Sequence, residues 1–140
     1  MTALVVDASV AIKWALPEVH SDAARRLLDA GYALLVPDLF FAEVGNTLWQ
    51  RARRGEVTTE EARTTLQAFV GASLEVHSCK SLMALAFDLA LRTRQSVYDG
   101  LYLSVAILRG CQLVTADRRL YDTVKESPLA SHLLWVGDVE

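Results

Sequence analysis

The 140 residues are 52% hydrophobic and 22% charged, with three prolines and seven glycines, a composition that suits one compact domain and excludes a disordered tail. The best uncharged apolar run, residues 101–108, is far too short for a bilayer span. No basic residue precedes Asp7, so a signal peptide is not expected either, and the cytoplasm is the expected compartment. The net charge of −3 argues against a nucleic-acid partner only until four particular acids are set aside; the 14 Lys and Arg then outnumber the acids that remain.

Residues 3–6, short and β-branched, read as a buried strand closed by Asp7. Ser9 is placed to cap a helix over 10–16 that stops at Pro17. A second helix is expected over 21–30, with Ala24, Leu27 and Leu28 on one face and Gly31 as its stop. A strand over 33–36 leads through Pro37-Asp38 into a long helix carrying Phe40, Phe41, Val44, Leu48 and Trp49, which ends at Gly55. Thr58 and Glu61 have the spacing of a capping box for a helix to about residue 70. A third strand follows at 74–77, then helices over 82–91 and 99–108, a fourth strand at 111–115, a helix over 117–124 and a short strand at 133–136. Continuous apolar strands alternating with helices imply a parallel sheet covered on both faces. The expected fold is a three-layer α/β/α sandwich with a central, mostly parallel sheet of four to five strands, forming a single domain over 1–140. Cys79 and Cys111 match no zinc or redox spacing and read as small, reduced core residues.

Four acids stand against apolar runs. Asp7 and Asp117 close strands, Asp99 opens a helix, and Glu43 lies within a helix beside Phe41, Ala42 and Val44. On that helix Glu43 shares a face with Phe40, Asn46 and Thr47. Open parallel sheets bind ligands beyond the carboxyl ends of their strands, where the strand order reverses, and the aspartates can meet there. Each aspartate alone is equally explained as a helix cap, a role also expected of Ser9 and Asp38. Glu43 resists that explanation, because a carboxylate among apolar neighbours needs a partner. Four gathered carboxylates repel one another unless a divalent cation lies between them. Oxygen-only ligands suit Mg²⁺ or Mn²⁺ rather than zinc, and such clusters serve phosphoryl transfer. His20, His77 and His132 share no consistent acid–base partner, which disfavours a histidine-pair nuclease. Ser9 stands where an aspartyl phosphatase needs its second Asp, the paired acid and late lysine of a receiver domain are missing, and no glycine-rich phosphate loop occurs.

Four blocks carry these residues: Val5-Val6-Asp7-Ala8-Ser9, Val36-Pro37-Asp38-Leu39-Phe40-Phe41-Ala42-Glu43-Val44-Gly45-Asn46, Tyr98-Asp99-Gly100-Leu101-Tyr102-Leu103 and Val114-Thr115-Ala116-Asp117-Arg118-Arg119-Leu120. In order and spacing, over about residues 3–136, they resemble the PIN-domain ribonucleases, and most of all the VapC toxins of toxin–antitoxin modules. The resemblance implies an endoribonuclease dependent on Mg²⁺ or Mn²⁺, a homodimer, with tRNA or rRNA as substrate and a cognate antitoxin as partner. It assigns Asp7, Glu43, Asp99 and Asp117 to the acidic metal site and Ser9 and Thr115 to adjacent hydroxyls that orient it. Two positions stand at the edge of the pattern. Gly100 replaces a common alanine, which is expected to be harmless. Arg118 and Arg119 leave no close second acid after Asp117, Asp122 being a turn later.

Lys13, one turn after Ser9, and Arg118 are the expected RNA contacts. Arg51, Arg53 and Arg54 serve either RNA or the negative end of their helix. Trp14, Trp49 and Trp135 read as core or interface more than as base-stacking residues. Leu27, Leu28, Phe40, Phe41, Leu48 and Trp49 supply more apolar surface than a small sheet needs, leaving a groove for an antitoxin helix or a dimer contact. The alternative function is a non-catalytic RNA-binding or protein-interaction module on the same scaffold, against which the presence of all four acids argues.

Overall fold

The computed structural model describes residues 1–29 and 31–140. The chain runs β1 (Thr2–Val6), α1 (Ala8–Ala15), α2 (Ser21–Arg26), β2 (Tyr32–Pro37), α3 (Leu39–Arg53), α4 (Thr59–Val70), β3 (Glu75–His77), α5 (Cys79–Thr93), α6 (Val97–Arg109), β4 (Gln112–Thr115), α7 (Arg118–Val124) and β5 (Leu133–Trp135). All strand pairs are parallel and form one sheet in the order β3-β2-β1-β4-β5. Helices flank it, giving the α/β sandwich that the alternating pattern predicts.

Val5 stands opposite Leu35 of β2 and Leu113 of β4. Those three residues and their neighbours Val6, Val36 and Val114 are essentially inaccessible, so both faces of the three inner strands lie in the core. Covered faces explain why the inner strands read as unbroken apolar runs rather than alternating ones. From β1 the chain steps outward to β2 and β3; α5 and α6 then return it across the sheet to β4 on the other side of β1. The order therefore reverses between β1 and β4, the place where open α/β sheets form their binding crevice.

Local chemistry sets the helix ends. The capping box at α4 is present in both directions, at 3.0 Å each way between Thr58 and Glu61. Asp7 caps α1 in place of the expected Ser9, accepting the Val10 N–H at 3.1 Å. Asp38 does not cap its own helix; its carboxylate accepts the Cys79 N–H at 3.1 Å and ties the start of α5 to α3. The second helix is shorter than expected. After Arg26 the chain tightens into i→i−3 bonds, with Leu28 N–H reaching the Arg25 carbonyl, and the predicted end at residue 30 lies outside the described residues.

Three expectations need correction. Leu27, Phe40 and Leu48 are core residues and Phe41 is half-buried, so of the surplus apolar set only Leu28 and Trp49 stay exposed. Both cysteines are free and half-buried rather than fully in the core; Cys79 accepts the Leu39 N–H through its sulfur. Gly100, expected to be merely harmless, is a close-packing residue. A β-carbon there would stand 2.4 Å from the Ala86 carbonyl oxygen, so the glycine lets α6 lie tightly against α5. Among the described residues no helix is long and apolar enough to cross a membrane.

Candidate carboxylate active site

Asp7 ends β1, buried and fully engaged. Its Oδ1 accepts the Ser9 hydroxyl at 2.5 Å and the Val10 N–H, and its Oδ2 accepts the Thr115 hydroxyl at 2.6 Å. Both hydroxyls have a second function. Ser9 Oγ accepts the Ala116 N–H at 3.3 Å and Thr115 Oγ accepts the Asp117 N–H at 3.0 Å. The turn after β1 and the turn after β4 are thus stitched through one carboxylate. Asp117 in turn caps α7, its Oδ1 accepting the Leu120 N–H at 3.1 Å. Asp117 therefore both caps α7 and lines the cleft, so the cap explanation does not exclude a site role.

Glu43 and Asp99 come from helices. Glu43 lies in the second turn of α3, beside the buried Val44, and its Oε1 accepts the Tyr102 hydroxyl at 2.6 Å. Asp99 lies in the first turn of α6, where Ser96 rather than Asp99 is the cap, accepting the Asp99 N–H at 3.1 Å. Tyr102 is one turn further along α6 and almost fully buried. The sequence reading quoted Tyr102 but gave it no role. Its i+3 spacing from Asp99 was the available signal, since it puts both side chains on one face.

The four acids line one cleft of ≈ 100 Å³ together with Ala8, Ser9, Tyr102 and Leu120. None of the ion pairs among the described residues involves them. The carboxylates feel that lack. Burial pushes Asp7 from 3.8 up to about 6 against the pull of its Ser9, Thr115 and Val10 hydrogen bonds, with the charge of Glu43 adding to the rise. Burial also raises Glu43 despite the Tyr102 bond, and the charge of Asp99 raises it further. Asp99 is raised by burial and by Asp117, with Ser96 and the positive Arg119 working in the opposite direction. Burial and the adjacent Glu43 push the Tyr102 phenol far up, so it remains a donor at any working pH.

The expected RNA contacts are placed differently. Lys13 is buried, and its ammonium is held by the Val19 carbonyl at 2.7 Å and Glu18 at 3.2 Å. Glu18 also pairs with Arg51, and although burial raises its carboxyl, those two cations bring it below the usual range. Lys13 is therefore a tie between α1, the following loop and α3, and it does not line the cleft. Arg118 is exposed and stands over the Trp135 ring, its guanidinium carbon 3.8 Å from the centroid. Arg119 is the arginine whose charge reaches the acids.

Among the described residues no group of three or more His, Cys, Asp or Glu side chains is drawn together closely enough to hold a metal ion as they stand. The chemistry of the four side chains, taken alone, would suit a hard cation. All four are carboxylates, none of them forms an ion pair among the described residues, and Glu43 Oε2 and Asp117 Oδ2 accept no hydrogen bond from the described residues. A Mg²⁺ or Mn²⁺ ion that keeps several waters needs only a few such oxygens.

The class is defined by a parallel α/β sheet with four acids lining a cleft at its β1–β4 point of reversal. The PIN domain family model matches residues 4–126. Ribonuclease VapC3 of Pyrobaculum aerophilum is 39% identical over 119 residues, covering 84% of this chain and 91% of that protein. The crystal structure of PAE2754 from Pyrobaculum aerophilum superposes with a TM-score of 0.66 at 27% identity, over 96% of this chain and 84% of that one. A toxin–antitoxin complex from Klebsiella pneumoniae shares the fold with a TM-score of 0.62 at 14% identity, over 94% and 95% of the two chains. The chain belongs to the PIN domain family, and within it to the VapC type.

Proposed function

We propose that this chain is a metal-dependent endoribonuclease and the toxin of a type II toxin–antitoxin pair. The observation that carries the reading is the cleft itself, four carboxylates facing one small volume with no cation paired to any of them. The name of the 39%-identical relative supports ribonuclease chemistry. Asp7, Glu43, Asp99 and Asp117 would hold Mg²⁺ or Mn²⁺, which when bound supplies a Lewis acid that makes water nucleophilic at neutral pH and offsets charge on the phosphate.

The chain's own residues do the rest. Ser9 and Thr115 hold the Asp7 carboxylate in one orientation and keep it ionised against the burial that favours its protonated form. Tyr102 fixes Glu43 through one oxygen and leaves the other facing the cleft. Arg119, at the start of α7, offers a positive charge to the RNA backbone beside Asp99. Arg118, standing over Trp135, gives the same rim a cationic surface.

Partners follow from the surface. An apolar groove of ≈ 250 Å³, lined by Trp14, Ala15, Leu28, Ala68 and Phe69, is where an antitoxin segment would dock. Met83, Phe87 and Leu91 stand exposed at i, i+4 and i+8 on α5, a stripe suited to pairing two copies in a homodimer. The protein then acts as a single domain in the cytoplasm on tRNA or rRNA. The test is cleavage of a mixed tRNA and rRNA pool with Mg²⁺ or Mn²⁺ against EDTA, beside Asp7→Asn. Metal-dependent cutting at few positions that the variant loses is the expected result. Full cutting in excess EDTA would remove the metal from the mechanism, and no cutting by folded, antitoxin-free protein would favour a binding module.

A further inference from the structure

A second cavity of ≈ 190 Å³, lined by Leu39, Ala42, Glu43, Asn46 and Tyr98, shares Glu43 with the acid cleft. We infer that this cavity is a nucleobase subsite, with Tyr98 as its stacking platform and Asn46 as the group that reads the base edge. The inference rests on the endoribonuclease reading, since the occupant is the nucleotide next to the scissile phosphate.

Adjacency is the first reason. Glu43 lines both cavities, so the second one lies within reach of a nucleotide adjoining a phosphate held at the four acids. Placement is the second. Asn46 follows Glu43 by three residues on α3 and shares its face, while Tyr98 immediately precedes Asp99 at the start of α6. Each helix-borne acid thus has a neighbour lining the adjoining cavity. The third reason is chemical. Tyr98 is 60% exposed, a large aromatic ring that the fold leaves uncovered, and its hydroxyl bonds to no described residue. The Asn46 side chain is also exposed and without a partner among the described residues. Leu39 and Ala42 supply an apolar floor. An aromatic face with one amide beside it is the pattern by which proteins hold an unstacked RNA base, and an amide presents the adjacent donor and acceptor that match the amino and N7 edge of adenine.

The surface next to Asp117 is built differently. Arg118, which follows Asp117, already occupies one face of Trp135, with Tyr121 and His20 against the ring edge-on, so that surface is cationic and its ring is covered. Base selection is therefore assigned to the Tyr98 side and backbone attraction to the Arg118–Arg119 side.

The test measures binding of five-nucleotide single-stranded RNAs that differ at one position, in Ca²⁺ with strand integrity checked on a gel. Wild type, Tyr98→Leu, Tyr98→Phe and Asn46→Ala are compared, all at exposed positions. Tyr98→Leu is expected to lower affinity by roughly tenfold or more for every base, with Tyr98→Phe close to wild type. Asn46→Ala is expected to abolish the preference among bases, adenine foremost, with a smaller loss of affinity. RNA binding identical to wild type in Tyr98→Leu and Asn46→Ala overturns the inference. So does a change in sedimentation of either variant with RNA affinity unaltered, which would give the cavity to a second copy of the chain. Selective binding by a wild type that cuts no RNA with Mg²⁺ would instead sink the endoribonuclease reading and leave the subsite standing.

Discussion

Asp7 and Asp117 hang from strand ends, whereas Glu43 and Asp99 ride on helices, and the two pairs are held in different ways. The strand-end pair is tied by a ring of short bonds. Ser9 and Thr115 each donate to Asp7 and accept from the β4–α7 turn, so Asp7 cannot turn without breaking several contacts, while the Asp117 carboxylate is held by its cap bond and its backbone by Thr115. Among the described residues the helix-borne pair has the Tyr102 hydroxyl on Glu43 and Ser96 beside Asp99, and it depends on how α3 and α6 pack. One half of the cleft is thus fixed by hydrogen bonds between the turns that follow the two central strands β1 and β4. The other is fixed by packing and has room to adjust when charge arrives.

Removing the centre of the fixed half should have the largest effect. Asp7→Asn is expected to lower metal-dependent RNA cleavage by more than about 100-fold, the upper range for even an indirect metal-site contact. Single-turnover cleavage with excess protein measures it. Loss of one supporting hydroxyl in Thr115→Val should cost about 10- to 100-fold and leave some activity at raised Mn²⁺.

Stability of the metal-free protein distinguishes the halves by pH. The Asp7 carboxyl is raised to about 6 in the folded state, above its ordinary 3.8, so its favourable contribution is complete below about pH 4 and is lost as pH rises through 6. That corresponds to about 3 kcal/mol of lost stability between those limits. Glu43 and Asp99, also raised, add in the same sense. Glu18, held below its usual range, works oppositely and bounds the acid side. Urea unfolding between pH 4.5 and 7.5 in EDTA should show the fall, Asp7→Asn should flatten it, and Mg²⁺ should restore stability at pH 7.5.

Gly100→Ala disturbs only the packed half. The added methyl meets the Ala86 backbone, so α6 must shift, at about 1–3 kcal/mol, read as a lower midpoint in urea. Smallest of all, Tyr102→Phe removes one hydrogen bond to Glu43. It should reduce cleavage by roughly tenfold and leave the fold intact, the order of one bond to a charged group. An effect equal to that of Asp7→Asn would mean the two halves are not held differently after all.

The same division explains what could be read from the sequence. Strand-end acids announce themselves, because a run such as Leu4-Val5-Val6 closed by Asp7 has a fixed direction and the parallel sheet fixes the edge where it ends. The order of strands follows from long-range pairing, which no local pattern encodes. Glu43 was legible as a carboxylate that needed a partner, but the identity of the partner, Tyr102, depends on where α6 crosses α3. Lys13 misled because one turn of helix places it near Ser9 in sequence, while the Glu18 and Val19 contacts that bury it come from the following loop. Gly100 misled because the space available to a side chain is a property of the neighbouring helix.

The central claim, that the two halves act together as one cation site, is tested most directly by Mn²⁺ titration of the metal-free protein at pH 7.5, following the free-ion signal by electron paramagnetic resonance. The account predicts at least one ion bound per chain, with binding weakened both by Asp7→Asn and by Glu43→Gln. Binding that survives both substitutions unchanged, or no binding by the folded wild type, would contradict it.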